Sequence, residues 1–285
     1  MTSADSKKKK SGLASGYLHG FSRSEQDRLY WQARFLEPYV HSNIEFLGTL
    51  SGPSRILEVG SGVGAQTEIL LRRHPQIVID SVDASHAQVL RARKHLATSV
   101  KAKRVRIHEA DALHLPFAEN SFDGAFLCWF LEHVAAPVDI LREVRRCLKE
   151  RATIHCTEVM NSAFFVHPYS PATLQYWFEF NDSQWSMKGD PFIGAKLGND
   201  LQTAGFQNIK TEIVTHHYDN RTPKLRAMFI EDMTGVLLSA APGLVAAKKV
   251  TRKLVEQMKS ELKQLKHDPN AVFVNAWVYA SAQAF

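Results

Sequence analysis

Three glycines within five residues, set between an apolar strand and a helix, constrain this chain more than any other feature. The segment ILEVGSGVGAQT covers residues 56–67, with the turn at Gly60-Ser61-Gly62-Val63-Gly64. Glycine lets the backbone turn sharply and approach a ligand closely, and the helix start behind it presents free N–H groups. A strand that feeds directly into a helix in this way opens a strand–helix–strand unit. The continuation agrees. Strands are predicted over 55–59, 78–82, 105–109, 124–128 and 152–159, with helices over 65–73, 86–97 and 137–148 between them. Strands separated by helices require parallel crossovers, so the predicted fold is α/β: a doubly wound, mostly parallel sheet with helices on both faces. A helix over 198–204 and two alternating strands over 208–216 and 271–280 complete it. The last two strands pair antiparallel as an edge hairpin, which makes a seven-stranded sheet.

Around this core the chain divides into a flexible basic tail (1–12), an N-terminal helical cover (13–50) and one domain (51–285) with helical lid insertions at 161–196 and 222–268. In the cover, Ser22 and Glu25 have capping-box spacing, and Leu29, Ala33, Leu36 and Val40 follow at helical intervals. Pro38 is a candidate kink, and Ser51-Gly-Pro a turn. The first insertion carries nine aromatics (Phe164, Phe165, Tyr169, Tyr176, Trp177, Phe178, Phe180, Trp185, Phe192). The second opens on Thr222 as cap with Pro223 at the first helical position, and is predicted as two helices broken near Pro242-Gly243.

Charge is unevenly placed. Lys7–Lys10 hold four positives and residues 248–266 a net five, so the +6 of the whole chain leaves −3 on the rest. The basic stretch 248–266 puts Val250, Leu254, Met258, Leu262 and Leu265 on one face, the pattern of a helix packed on a core with a solvated charged side. The basicity is peripheral, and no nucleic-acid partner is expected. The longest uninterrupted apolar run, 125–131, has seven residues against the roughly 20 of a membrane span, so no transmembrane helix is expected. The amino terminus lacks the apolar stretch of a secretory signal. Three cysteines without zinc or CxxC spacing (Cys128, Cys147, Cys156) fit reduced thiols, hence a cytoplasmic location.

Asp83 ends the segment IVIDSVD, 19 residues beyond Gly64, where an acid accepts ribose hydroxyls in nucleotide-binding α/β sheets. The glycines and this acid fit a dinucleotide site as well. What discriminates is the next element: A-D-A-x-x-L-P-F at 110–117, S-F-D at 121–123 and L-E-H-V at 131–134. With E-x-G-x-G-x-G at 58–64, this combination resembles class I S-adenosylmethionine-dependent methyltransferases, in particular the small-molecule group that includes the ubiquinone/menaquinone C-methyltransferases. The resemblance spans roughly residues 50–160.

The resemblance implies S-adenosyl-L-methionine as cofactor and assigns roles by position. Glu58, Gly60, Ser61, Gly62 and Gly64 form the loop around the methionine and ribose. Gln66 helps hold the amino acid end, Asp83 with Ala84 the ribose, and Asp111 with Ala112 the adenine. Leu127, Cys128 and Trp129, at the carboxyl end of the fourth strand, border the transferred methyl. The segment YLHGFSRSEQDRLYWQARFLE resembles a helix that covers the cofactor in this group, with Tyr17, Tyr30 and Arg34 as candidates to touch the carboxylate or close the pocket. One departure stands out: Lys149-Glu150-Arg151-Ala152 replaces the usual Pro-Gly-Gly turn before the fifth strand, which implies altered loop geometry away from the site.

Methyl transfer needs a general base only when the attacking atom carries a proton of high pKa. The candidates are His133 and Glu158, then His167 and the pair His216-His217, of which a strand turns only one inward. No metal constellation emerges. The aromatic insertions favour a small, partly apolar or aromatic substrate, handled by a monomer or homodimer. Three other readings stand beside this one: an NAD-dependent dehydrogenase, which leaves the 109–123 pattern without a role; methylation of RNA or protein, which requires a basic groove; and a catalytically silent scaffold.

Overall fold

The computed structural model describes residues 17–42, 44, 47, 50 and 53–285. The predicted tail at 1–12, the first residues of the cover and Ser51-Gly52 of the predicted turn lie outside the described residues. The elements in chain order are α1 (Arg23–Val40), β1 (Ser54–Val59), α2 (Ala65–Arg73), β2 (Ile77–Asp83), α3 (His86–His95), α4 (Ala97–Lys101), β3 (Val105–Glu109), β4 (Phe122–Cys128), α5 (Pro137–Cys147) and β5 (Leu148–Val159). They continue as β6 (Phe165–His167), α6 (Pro171–Ser186), α7 (Ile193–Thr203), β7 (Gln207–Tyr218), α8 (Pro223–Ala246), α9 (Arg252–His267) and β8 (Val272–Gln283).

Strands β3, β2, β1, β4 and β5 run parallel in that spatial order, and β8 closes antiparallel on β5. Strand β7 pairs antiparallel with β8, the expected edge hairpin. An eighth strand, β6, pairs with the start of β8; at three residues it is too short to leave a sequence pattern. The chain leaves β1 toward β2 on one side and returns to β4 on the other. The carboxyl ends of β1 and β4 therefore flank the crevice where open α/β sheets bind ligands.

Successive strand residues feed opposite faces. Ile56, Ile79 and Phe126 pack with α1, α6, α8 and α9, whereas Leu57, Val82 and Leu127 pack with α5 and α7. The apolar stripe of α9 is buried as predicted, from Val250 to Leu265. At the start of α1, Glu25 N donates to Ser22 Oγ (3.2 Å), but the Glu25 carboxylate grips Arg28 instead of reaching back, so only half of the capping box forms.

Three boundaries differ from expectation. Helix α8 runs unbroken through Pro242, which sits in its last turns, and the chain turns only at Lys248 (φ 57°). Helix α7 starts five residues earlier than predicted, and the helix predicted over 86–97 ends at His95 before a short second one. By length and composition α8 is apolar enough to cross a membrane. The run-length criterion overlooked it because Arg226, Glu231 and Asp232 interrupt the sequence; in this fold it packs on α9, α6, α1 and the β7–β8 hairpin and buries Phe229, Ile230, Met233 and Leu237. Where the Pro-Gly-Gly turn is replaced, Arg151 adopts φ 62° and its N–H donates to Ala284 O, remote from the crevice.

Candidate cofactor and acceptor pocket

A cavity of about 480 Å³ opens at the carboxyl ends of β1, β2 and β4. Its floor is the glycine loop. Gly60, Gly62 and Gly64 all take left-handed φ (76°, 53° and 78°), yet each is needed for a different reason. A Cβ on Gly60 would strike the Phe130 ring at 2.2 Å, one on Gly64 would meet Leu96 Cδ1 at 2.7 Å, and one on Gly62 would meet nothing within 4 Å. Gly62 alone faces open space, which is the place a ligand lies over backbone. Its N–H donates to Asp83 Oδ2 (2.8 Å), and Ser85 N donates to Asp83 Oδ1 (2.8 Å). A carboxylate offers about four lone-pair sites, so Asp83 keeps two for ribose hydroxyls. Burial raises its pKa above the ordinary aspartate value.

Of the residues assigned from the sequence, Tyr17, Gly60, Ser61, Gly62, Gln66, Asp83, Ala84, Asp111, Ala112, Cys128, Trp129 and His133 line this cavity. Asp111 is held by Leu113 N donating to its Oδ1 (3.0 Å). His41 Nε2 donates to Gln66 Oε1 (2.7 Å), because an amide oxygen only accepts.

Four of the assigned residues do not line the cavity. Glu58 is buried beneath the loop, where Thr67 Oγ1 donates to its carboxylate at 2.6 Å, and burial pushes its pKa up to about 8. Gly64 packs α2 against Leu96, as above. Leu127 belongs to the core shared with α5 and α7. Glu158 is not a base in reach of substrate: it is fully buried, and its Oε1 accepts Phe130 N (3.1 Å) and Leu131 N (2.8 Å). Burial, with Glu132 adding to it, raises Glu158 to about 8. It shapes the turn that carries His133.

The covering helix contributes differently from the expectation. Tyr30 OH donates to Val63 O (2.9 Å), and Arg34 is exposed beside Glu68. Arg28 enters the cavity instead, fixed by two 2.7 Å bonds to Glu25, with its Nη1 buried and without a partner among the described residues. The i, i+3 spacing of Glu25 and Arg28 was the available signal. His167 and His217 are exposed, and His216 is buried among Tyr39, Phe229 and Trp277, with its pKa lowered to about 4 by burial; none lines the cavity.

The far wall comes from the insertions and β8. Trp177 and Phe180 of α6 stack at 5.5 Å, Trp129 meets Trp277 edge-on at 5.3 Å, and Asp232 and Met233 descend from α8. Of the nine insertion aromatics only Trp177 and Phe180 line the cavity; Phe164 and Tyr176 are core, and Phe165, Tyr169, Phe178, Trp185 and Phe192 are exposed. Among the described residues no cluster suited to a metal ion occurs.

Residues 57–156 match the protein family described as "Methyltransferase domain". A demethylmenaquinone methyltransferase of Thermotoga maritima is 26% identical over 60% of this chain and 64% of its own, and the O-methyltransferase resE of Aspergillus sclerotiorum is 27% identical over 45% and 48%. The chain thus spans about half to two thirds of the length of these relatives. Among solved structures, a phosphoethanolamine N-methyltransferase of Haemonchus contortus, in complex with phosphomonomethylethanolamine and S-adenosylhomocysteine, has the same fold. Its TM-score is 0.60, at 18% identity over 94% of this chain and 60% of that one.

Residues 57–156 are therefore a class I S-adenosylmethionine-dependent methyltransferase domain. The chain resembles the ubiquinone/menaquinone methyltransferases within that class. S-adenosylmethionine is the cofactor of such a domain, and the pocket fits it. Gly62 leaves space over the loop, Asp83 retains acceptor capacity, and the buried Ser61 Oγ and Trp129 Nε1 have no partner among the described residues.

Proposed function

We propose that the protein transfers a methyl group, by in-line displacement, from S-adenosylmethionine to a small, partly apolar or aromatic metabolite. The observation that carries this reading is continuity: one cavity joins the glycine loop and Asp83 to the aromatic wall of Trp177, Phe180 and Trp129. The cofactor supplies an electrophilic methyl when bound. The chain's part is to hold it, align an acceptor and exclude water. Asp83 accepts from the ribose, Asp111 and Ala112 border the adenine, and Nη1 of Arg28 takes the carboxylate. Helices α1, α6 and α8 cover the acceptor end, which keeps water from competing.

A dehydrogenase does not fit a methyltransferase domain match, and it leaves the 109–123 segment unused. A polymer substrate is disfavoured because the cavity is roofed and carries Asp83, Asp111, Glu132 and Asp232 rather than a basic groove. The reading extends to a cytoplasmic monomer or homodimer without a membrane span; the three unpaired cysteines support the location. Formation of S-adenosylhomocysteine on incubation with a panel of small aromatic acceptors tests the reading. Methylation of RNA or protein with none of small molecules would overturn it.

A further inference from the structure

His19 lies in the strap before α1, and its ring lines the acceptor end of the cavity. Its Nδ1 stands 2.6 Å from Ser239 Oγ on α8, and Ser239 Oγ donates its hydrogen to Val236 O at 2.7 Å. A serine hydroxyl has one proton. With that proton committed to Val236, Ser239 must accept, so His19 Nδ1 carries the hydrogen and Nε2 carries a lone pair. The Val236 carbonyl accepts from the ring as well. A ring nitrogen so prepared, with its partner nitrogen anchored to a lid helix, is the arrangement of a proton acceptor.

The surroundings suit a flat acceptor. The His19 ring is 5.7 Å from Phe180, which stacks on Trp177, and 6.0 Å edge-on from His133. Two carboxylates at this end are engaged: both oxygens of Asp232 accept from Gln32 Nε2 (3.1 and 3.4 Å), and Glu132 Oε2 accepts from Gln184 Nε2 (2.8 Å). His133 is directed to Glu132, 3.6 Å away.

On the methyl-transfer reading above, we propose that the acceptor is a phenol and that His19 is the catalytic residue that takes its proton. The phenolic O–H bond breaks, with the proton passing to His19 Nε2 and the electron pair remaining on oxygen. That oxygen forms the new O–CH3 bond as the methyl–sulfur bond breaks, its pair going to sulfur. Burial, together with Arg28 of α1 and His133 of the turn after β4, holds the His19 pKa well below the ordinary imidazole value, so the ring is neutral at pH 7. Asp232 of α8 lines the same cavity, Tyr17 neighbours the ring in its own segment, and α6 presents only the uncharged Phe180.

The test uses the full chain, S-adenosylmethionine, and two acceptors at pH 8: 4-methylphenol, which keeps its proton, and 4-nitrophenol, which is largely ionised. His19→Gln is expected to lower kcat on 4-methylphenol by about 10²-fold or more, with little effect on 4-nitrophenol and none on S-adenosylhomocysteine affinity. Ser239→Ala, which only releases Nδ1, is expected to lower kcat on 4-methylphenol about tenfold with KM unchanged, and it serves if the first variant does not fold. Equal losses on both phenols would reduce His19 to a structural role and overturn the proposal. Methylation of the matching aniline or thiol but of neither phenol would also overturn it while leaving methyl transfer intact. Failure to bind S-adenosylhomocysteine at all would bring down both.

Discussion

The backbone N–H of Gly62 donates to the Asp83 carboxylate across 2.8 Å, so the tip of β2 holds the glycine loop open where the cavity begins. Asp83 therefore has two duties, fixing the loop and receiving the ribose. Asp83→Ala is expected to weaken S-adenosylhomocysteine binding by at least about tenfold, since loss of hydrogen bonds to a charged group costs roughly 1.5–3 kcal/mol. Asp83→Asn, which keeps one acceptor, should recover part of that loss. Titration calorimetry on the two variants checks the order.

The loop glycines should separate binding from stability. Gly64→Ala places a methyl group against Leu96 in a left-handed backbone position and is expected to lower stability by about 1–3 kcal/mol without changing cofactor affinity. Gly62→Ala projects its methyl into open space over the loop. It should weaken affinity more than its strain of about 1 kcal/mol weakens the fold. Thermal unfolding and calorimetry on the same preparations decide between these outcomes.

Arg28 is expected to recognise the amino acid end of the ligand. Arg28→Met should weaken S-adenosylhomocysteine while leaving 5′-methylthioadenosine, which lacks the carboxylate, unaffected. Equal weakening of both ligands would mean that Arg28 only braces Glu25.

Glu58 gives stability a pH dependence whose sign follows from its raised pKa. The folded state keeps a proton up to about 8, whereas the unfolded chain loses it near the ordinary value of 4.5. Its stabilising contribution is full at low pH and declines as pH rises from about 4.5 through 8, by at most on the order of 5 kcal/mol. Glu58→Gln, which still accepts from Thr67, should flatten the urea-denaturation stability profile between pH 5 and 8.

On the far side of the sheet, fully buried Asp80 is met by Arg55, Arg106 and His108 at 2.7–2.8 Å, and these partners hold its carboxyl far below the usual range. Asp80→Ala leaves the two guanidiniums without a counter-charge. Both guanidiniums are partly exposed, so the cost is expected to be about 1–3 kcal/mol, measured by urea denaturation, with S-adenosylhomocysteine binding retained.

How far the sequence was legible depended on range. The parallel strands, the glycine turn, Asp83 and Asp111 were readable because each is set by residues close in sequence. Glu58 and Leu127 were assigned to the cofactor, and Glu158 to catalysis, from their places in or beside legible motifs and strand ends. Yet both faces of a parallel sheet are buried, and nothing local tells which side chains reach the crevice. Arg28, His19, Asp232, Trp177 and Phe180 converge on one cavity from the strap, α1, α6 and α8, and that convergence is created by packing alone. Pro242 misled in the opposite way: it looked like a break, but it removes one backbone donor and α8 still continues past it to Ala246.

The central claim is that the cavity is built for an S-adenosyl ligand, and paired calorimetric titrations of the unaltered protein with S-adenosylhomocysteine and with NADH test it most directly. The expected result is one site per chain for S-adenosylhomocysteine, with no saturable binding of NADH. Preferential binding of NADH would contradict the assignment.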